Sequence, residues 1–178
     1  MAKILILFGT NYGQTRKVAN HIAEVVRSRG HDVEEAQGNK LPDDFTPKDF
    51  DAAIIGTSIN LGVHQISIRK LVKNNEAAFN SMPCAYFCVC LSAYGTKPQD
   101  KEQVDKFLND FIQYTGLKPV KTAAFAGALR YPYYNFVRRF AAKLVARRVG
   151  ADTYTKNEYE YTNWEAVTKF TTDFVDSL

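Results

Sequence analysis

The chain begins with a short apolar segment, residues 3–8, after which the spacing of its apolar side chains changes. A run that is apolar at nearly every position is typical of a strand buried on both faces of a parallel sheet. From residue 14 to residue 29 the apolar side chains recur at helical spacing, and Gly30 marks the end of the helix. The pattern therefore predicts a strand followed directly by a helix.

The alternation of strand and helix continues along the chain. Further strands are predicted at residues 32–36, 52–56, 84–91 and 120–126. Further helices are predicted at residues 65–79, through residues 104–111 to a stop at Gly116, and at residues 164–175. Such alternation predicts right-handed crossovers and a doubly wound parallel α/β sheet, and five strands in this rhythm fit the flavodoxin-like order 2-1-3-4-5.

One stretch departs from this alternation. Residues 130–149 lie between the fifth predicted strand and residues 153–161, whose alternating aromatic and polar side chains predict an exposed edge strand. We interpret residues 130–149 as an inserted segment within a single domain that spans residues 1–178.

The composition supports one compact domain, since 46% of the 178 residues are hydrophobic and 24% are charged. The N-terminus lacks the features of a secretory signal and no apolar run is long enough to span a bilayer, so we expect a cytoplasmic protein. Cys84, Cys88 and Cys90 fall in one apolar segment without metal-binding spacing. This predicts buried, reduced thiols and no metal site.

The turn after the first strand has the residues of a phosphate-binding loop. It consists of Thr10, Asn11, Tyr12, Gly13, Gln14 and Thr15. Hydroxyls, an amide, a small glycine and the N-terminus of the next helix together favour a bound anion. The turn matches neither G-x-x-x-x-G-K-S/T nor Gly-x-Gly-x-x-Gly, which argues against a kinase, an ATPase or a dinucleotide site. A phosphate monoester fits it best, although threonine-rich turns also serve simply as helix caps.

Two more loops are expected at the same edge of the sheet. One contains Thr57, Ser58, Ile59, Asn60, Leu61 and Gly62, and the other contains Leu91, Ser92, Ala93, Tyr94 and Gly95. Both offer small residues, backbone amides and an apolar surface for a planar heterocycle, on which Tyr94 or Leu61 would stack. Because ligands of doubly wound sheets bind outside the carboxyl ends of the strands, the three loops together predict FMN.

The inserted segment concentrates positive charge. It contains Arg130, Arg138, Arg139, Lys143, Arg147 and Arg148, with no acidic residue between them. These six charges exceed the net charge of +4 of the whole chain, so the rest of the protein is slightly acidic.

A helix over residues 134–149 would be amphipathic, with Phe136, Val137, Phe140 and Leu144 on one face and basic side chains outside it. Cationic amphipathic helices are typical of proteins that lie on anionic membranes. A helix that packs on its own domain is the alternative. Nucleic-acid binding is not expected, because the rest of the chain has no matching module. Three tyrosines flank the predicted helix: Tyr131, Tyr133 and Tyr134.

Four longer runs of the sequence are distinctive. They are Ile4-Leu5-Ile6-Leu7-Phe8 with Gly13-Gln14-Thr15, Phe79-Asn80-Ser81-Met82-Pro83, Ala126-Gly127-Ala128-Leu129-Arg130-Tyr131-Pro132, and Tyr161-Thr162 before Trp164-Glu165. With these runs the chain resembles the menaquinone-dependent protoporphyrinogen IX dehydrogenases over nearly its whole length. The resemblance implies an FMN enzyme of haem biosynthesis that oxidises protoporphyrinogen IX and passes the electrons to a membrane quinone. It also implies a peripheral protein on the cytoplasmic face of the membrane.

The resemblance further implies roles for the inserted segment. Arg130, Arg138 and Arg139 would meet the propionates of the substrate, since a guanidinium pairs bidentately with a carboxylate. Tyr131 and Lys143 would contact the substrate or the membrane. No catalytic side chain is predicted, because FMN itself carries the chemistry.

Two other functions stay open at this point. The protein would be an electron-transfer flavodoxin, although such carriers usually present an acidic face to their partners. It would otherwise be an FMN-dependent quinone reductase. The loop at residues 60–64 lacks the arginine and tyrosine that the dehydrogenases tend to carry there. His64, at the end of this loop, is either a proton carrier or a structural histidine.

Overall fold

The computed structural model describes residues 1–42 and 44–178. Its strands, in chain order, are β1 (Lys3–Gly9), β2 (Asp32–Gln37), β3 (Ala52–Asn60), β4 (Val63–His64), β5 (Cys84–Val89), β6 (Lys121–Phe125), β7 (Ala128–Arg130) and β8 (Glu158–Glu160). Its helices are α1 (Gln14–Ser28), α2 (Ile66–Asn74), α3 (Glu76–Asn80), α4 (Pro98–Thr115), α5 (Phe136–Val149) and α6 (Trp164–Val175). No helix in these ranges is both long and apolar enough to cross a bilayer.

The central sheet is parallel and has the strand order β2-β1-β3-β5-β6. Because β4 is a short strand that pairs with β3 outside this series, the five parallel strands follow the order 2-1-3-4-5, which confirms the prediction. Successive side chains of a strand point to opposite faces, so Ile4 and Ile6 enter one core and Leu5 and Leu7 the other. Helices α1 and α6 cover the first face, and α2 and α4 cover the second. Burial on both faces explains the continuous apolar runs in the sequence.

The predicted cysteine environment is confirmed. Cys84, Cys88 and Cys90 are buried free thiols and belong to the same core as α2 and α4. They alternate along β5 and the residue after it, so their side chains share one face.

Strand β3 is longer than predicted and folds back on itself. The sequence placed its end at Gly56, whereas the strand continues to Asn60, which pairs with Val63 of β4. Leu61 and Gly62 form the turn, with φ angles of 50° and 79°. A two-residue turn with positive φ at both positions matches the twist of the strands. The segment predicted as a loop is therefore a β-hairpin.

The second predicted helix is interrupted. Residues 65–79 form α2 and α3 with a break at Asn75, where φ is −117°. The side-chain amide of Asn75 donates to the carbonyl of Leu71 at 3.0 Å, which caps the end of α2. Asparagine competes with the backbone for such hydrogen bonds, and this explains the break.

The inserted segment folds into a unit of its own, with β7, α5 and β8. Strand β8 pairs antiparallel with β7 in a separate two-stranded sheet. The exposed edge strand predicted over residues 153–161 is therefore present but shorter, at Glu158–Glu160, and it lies in this small sheet and not at the edge of the central one. The unit leaves and rejoins the central domain at one point. The amide of Tyr161 donates to the carbonyl of Gly127 at 3.1 Å, and the hydroxyl of Thr162 donates to that of Ala126 at 2.7 Å. We call these two hydrogen bonds the neck of the inserted unit.

Candidate functional site

A cleft opens at the carboxyl ends of β1, β3 and β5, where a doubly wound sheet places its ligands. The cleft is walled by the three predicted loops and, on its far side, by α5. Most of the residues predicted for the cofactor lie on this wall: Thr10, Asn11, Tyr12, Gln14, Thr15, Ser58, Ile59, Asn60, Leu61, Gly62, Leu91 and Ser92.

The loop after β1 leaves polar atoms without partners. Gly13 forms the N-cap of α1 with a φ of 88°, and no side chain caps the helix. The hydroxyl of Thr10 accepts from the amide of Gly13 at 2.8 Å, which fixes the loop. Thr15 is only 1% exposed, and neither its hydroxyl nor Oε1 of Gln14 has a partner among the described residues. Buried polar atoms of this kind are costly unless a ligand satisfies them.

These features fit the phosphate of FMN. The free amides at the start of α1 and the hydroxyl of Thr15 supply donors, and the positive end of the helix dipole favours the charge. The other loops add the apolar side chains of Leu61 and Leu91, and Leu129 faces them from the inserted unit. A cleft with an anion site at one end and apolar walls at the other suits a phosphorylated heterocycle.

A buried polar network lies beneath the β3–β4 hairpin. The hydroxyl of Thr57 lies 3.1 Å from Nδ1 of His64 and 3.0 Å from the hydroxyl of Tyr86. Nε2 of His64 donates to the carbonyl of Phe107 at 2.9 Å, which leaves Nδ1 as the acceptor. Burial lowers the pKa of His64 to about 4. His64 is therefore a neutral structural residue, and Thr57, predicted to contact the cofactor, turns into this network instead.

The loop after β5 contributes less to the cleft than predicted. Leu91 and Ser92 lie on the wall, but Ala93, Tyr94 and Gly95 do not. The ring of Tyr94 packs against Tyr161 with 4.5 Å between their centroids. This contact with the inserted unit draws Tyr94 away from the cleft, so the structure corrects the prediction that Tyr94 stacks on the cofactor.

Helix α5 completes the cleft through Arg138, Ala141, Ala142 and Val145. Nη1 of Arg138 donates to the hydroxyl of Tyr12 at 2.6 Å, and its guanidinium lies 5.9 Å from the centre of that ring. Tyr134, just before the helix, packs edge-on against Tyr12 with 4.8 Å between centroids. The inserted unit is thus joined directly to the phosphate loop.

The other predicted basic residues lie away from the cleft wall. Arg130 pairs with Glu158 across the β7–β8 sheet at 3.5 Å. Nη2 of Arg139 donates to the carbonyl of Tyr134 at 3.1 Å. Tyr131 is buried and donates to the carbonyl of Asp152 at 2.8 Å, and Lys143 lies on the outer side of α5. Within the described ranges, Arg138 is the one predicted substrate residue that borders the cleft.

Several residues of the wall were not predicted from the sequence. They are Val89, Cys90, Phe107, Gly127, Ala128, Leu129, Tyr134, Ala141, Ala142 and Val145. The small residues at 126–128, directly after β6, are the one signal in the sequence that pointed to a further loop at this edge.

Helix α5 turns its large apolar side chains away from the protein. Phe136 is 84% exposed, and Val137, Phe140 and Leu144 are also exposed. The side that faces the domain carries small residues, among them the buried Ala146. This is the reverse of a helix that serves its own core. We call the exposed side chains of Phe136, Val137, Phe140 and Leu144 the outer stripe of α5.

Known proteins resemble this chain at two levels. The family described as flavodoxin domain matches residues 5–156. The protoporphyrinogen IX dehydrogenase (quinone) of Escherichia coli is 34% identical over 169 residues, which cover 94% of this chain and 92% of that protein. The Leishmania major protein of the same name is 29% identical over 178 residues, 97% of this chain and 74% of that protein.

The fold is shared with flavodoxins of known structure. Oxidised flavodoxin 1 from Bacillus cereus covers 99% of this chain and 99% of its own, with a TM-score of 0.60 and 18% identity. At that identity the likeness concerns the fold alone, and the sequence relatives carry the information on activity.

Proposed function

The chain belongs to the flavodoxin domain family and to the quinone-dependent protoporphyrinogen IX dehydrogenases, and on this premise we propose that it oxidises protoporphyrinogen IX with FMN and passes the electrons to a quinone. The observation that carries the cofactor assignment is the buried hydroxyl of Thr15, unpaired beside the uncapped N-terminus of α1. The sequence relatives carry the assignment of substrate and acceptor.

In each cycle, two electrons and two protons leave the porphyrinogen, and the same number reduce a quinone to a quinol. FMN, when bound, supplies the exchange of two electrons between donor and acceptor. The porphyrinogen and the quinone therefore need not occupy the cleft at the same time. The described wall of the cleft contains no Asp, Glu, His or Lys. The side chains of this protein thus bind and orient the reactants, while protons pass to solvent and to the quinone.

Arg138 is the residue that would hold the substrate. Its guanidinium borders the cleft, and its partner, the hydroxyl of Tyr12, is a neutral acceptor. A propionate carboxylate is the stronger acceptor and matches the guanidinium bidentately. The substrate would therefore displace Tyr12 and bind with one edge against α5.

The test is an anaerobic assay of the FMN-loaded protein with protoporphyrinogen IX and a water-soluble quinone. Fluorescent porphyrin should form in proportion to bound FMN. Arg138→Gln should raise KM for the porphyrinogen about tenfold, as the loss of a charged hydrogen bond implies, whereas Lys156→Gln, which removes an exposed charge elsewhere in the unit, should not. Lack of FMN-dependent porphyrin would contradict the proposal, and NAD(P)H-driven quinone reduction would identify a quinone reductase instead.

The inserted unit would also bring the enzyme to a membrane. The outer stripe of α5 is exposed, and the basic side chains of Lys143 and Arg147 flank it on the same helix. Apolar side chains enter the boundary between head groups and acyl chains, while the long basic side chains reach anionic head groups. We assign α5 to the cytoplasmic face of the membrane on this basis.

Vesicle sedimentation tests this assignment. The protein should bind vesicles that contain phosphatidylglycerol, and the double substitution Phe136→Ser and Phe140→Ser should weaken binding about a hundredfold, because burial of each of the two lost side chains contributes about 1.5 kcal/mol or more. Val120→Ser, at an exposed position at the start of β6, is the control. Equal binding of all three proteins would refute the assignment.

A further inference from the structure

Many of the large exposed apolar side chains of this protein lie around the cleft, although others, such as Met1, Val120 and Leu178, are exposed elsewhere. Apart from the outer stripe of α5, Leu61, Val63 and Ile66 are exposed at the β3–β4 hairpin and the start of α2. In a parallel sheet, the loops that follow the strands lie at the carboxyl edge, and the helices return to the amino edge. The hairpin and α5 both follow carboxyl ends, so both lie where the cleft opens.

The hairpin and α5 form opposite rims of the cleft. Leu61 lines the cleft from the hairpin, and Val145 lines it from α5. The large apolar side chains of both elements continue from the cleft onto the outer surface. The two rims thus form a broken apolar ring around the opening.

A leucine in the turn of the hairpin is unfavourable because the turn requires a positive φ. Leu61 adopts a φ of 50°, where asparagine or glycine is favoured, and its side chain remains exposed. Bound FMN would cover the part of Leu61 that faces the cleft, whereas Val63 and Ile66 lie off the cleft wall and stay exposed, so these two side chains gain stability only when another partner covers them.

Charge around the rims identifies the partner. Residues 52–75, which contain the hairpin and α2, include no acidic residue, and neither do residues 126–151, which contain α5. The basic residues in these segments include Lys143 and Arg147 on α5 and the exposed Lys70 on α2. Arg69, by contrast, packs on the ring of Tyr114. Two apolar rims whose own segments carry basic and no acidic residues are complementary to an anionic lipid surface.

We propose that the tip of the hairpin is a second lipid contact, which enters the membrane interface together with α5. The cleft then opens directly onto the bilayer, and the apolar quinone reaches it from the lipid without crossing water. This inference rests on the proposed quinone-dependent activity and adds the surface by which the acceptor arrives.

Val63→Glu is the decisive variant, because Val63 is exposed at the tip and is absent from the cleft wall. The control is Val120→Glu, which places the same charge at another exposed valine, on the amino edge of the sheet. Each holoprotein is assayed with phosphatidylglycerol vesicles that contain a long-chain quinone, and separately with a water-soluble quinone in the absence of lipid.

The Val63→Glu protein should bind the vesicles about tenfold more weakly, since it loses a valine that the lipid would bury and gains a like charge at the lipid surface. Its rate with the vesicle-borne quinone should fall accordingly, while its FMN content and its rate with the soluble quinone should match those of wild type. Val120→Glu should match wild type in every assay. Val63→Ser, a milder change at the same position, should reduce vesicle binding without charge.

Unchanged vesicle binding by Val63→Glu and Val63→Ser would overturn the inference and leave α5 as the sole contact. A dimer that Val63→Glu dissociates, together with no vesicle binding by wild type, would also overturn it in favour of contact between two copies. Failure of wild type with the soluble quinone would instead refute the proposed activity, and vesicle binding would remain measurable.

Discussion

Two residues of the phosphate loop combine burial with unsatisfied polar atoms. Thr15 and Gln14 are almost fully buried and yet keep polar atoms without partners, next to a helix start that no side chain caps. Each unpaired atom lowers the stability of the empty protein. Binding of a phosphate would satisfy them together, so these residues couple the stability of the protein to its cofactor.

We predict that Thr15→Val weakens FMN binding by about tenfold to a hundredfold, because one charge-assisted hydrogen bond to the phosphate is lost. Fluorescence titration measures the affinity. Riboflavin provides the control, since it has the same ring without the phosphate, and its affinity should not change. Equal losses for both ligands would show that the substitution disturbs the cleft as a whole.

His64 predicts how stability responds to acid. Its pKa is about 4 in the folded protein, compared with 6.5 for an ordinary histidine. Burial lowers the pKa most, and the positive charge of Arg69 lowers it further. The hydrogen bond to the carbonyl of Phe107 and the negative charge of Asp110 raise it, but by less. Between pH 6.5 and pH 4 the unfolded chain binds a proton that the folded chain does not. The free energy of unfolding should therefore fall as pH decreases through this range, and above it His64 should add nothing to the dependence on pH.

Urea unfolding of wild type and His64→Gln at several pH values measures this effect. The variant should be less stable at neutral pH, because the hydrogen bond to Phe107 is weakened. It should, however, lose less stability than wild type on acidification. Parallel curves for the two proteins would exclude His64 as the source.

Among the strands and helices, those that are buried in the core were predicted from the sequence, whereas the hairpin and the short strand β7, which depend on local backbone geometry, were not. The three central parallel strands, β1, β3 and β5, are recognisable because each is apolar on both faces, whereas the edge strand β2 buries only Ala36. The hairpin carries no Asn-Gly signal, since its turn uses Leu61 in a conformation that leucine rarely adopts. Strand β7 has only three residues and no detectable period, so the alternation over residues 153–161 predicted a strand but could not identify its partner.

The strained turn gives a prediction of its own. Leu61→Asn should raise the free energy of unfolding of the FMN-free protein by about 1 kcal/mol, because asparagine tolerates positive φ and the lost side chain is largely exposed. Chemical denaturation measures the change. Val63→Asn, in the adjacent strand, should not stabilise the protein. A destabilised Leu61→Asn would mean that packing of the leucine outweighs the strain.

Helix α5 is tied down at its C-terminal end by Arg148. Its Nε lies 3.4 Å from the buried carboxylate of Asp100, its Nη2 donates to the carbonyl of Gln99 at 3.1 Å, and its own carbonyl accepts from Lys97 at 3.4 Å. These contacts join α5 to the start of α4 and so hold one wall of the cleft.

Arg148→Ala should accordingly increase amide hydrogen exchange in α5 about tenfold while the central sheet remains protected, since local opening depends on local contacts. The carboxylate of Asp100 would also lose its charged partner, which costs stability. Arg147→Ala, at the exposed neighbouring position, is the control. Uniform acceleration throughout the protein would indicate global destabilisation instead.

The whole molecule is polarised, and this property was only partly visible in the sequence. The basic insertion, its apolar face and the three loops were predicted, because composition and period carry that information. The directions of individual side chains were not predicted. Tyr94 and Thr57 were therefore assigned to the cleft, although they contact Tyr161 and His64 instead. The sequence also did not show which arginine borders the cleft, because ion pairs such as that of Arg130 with Glu158 hold the other arginines elsewhere.

The polarity predicts a response to salt. Raising the salt concentration from about 0.1 M to about 1 M shortens the screening length from about 10 Å to about 3 Å. Binding of wild type to phosphatidylglycerol vesicles should weaken severalfold but persist, because the apolar contacts remain. Phosphatidylcholine vesicles, which carry no net charge, should show weak binding without this dependence. Complete release from the anionic vesicles would indicate purely electrostatic attachment.

The neck of the inserted unit has a consequence for how such a protein arises and can be rebuilt. Since Ala126 and Gly127 are hydrogen-bonded to Thr162 and Tyr161, the chain returns to the point from which it departed. A short linker across this gap would preserve the path of the central domain. Exchanging the unit between related proteins would then transfer the outer stripe of α5 and the Arg138 wall of the cleft without altering the central sheet.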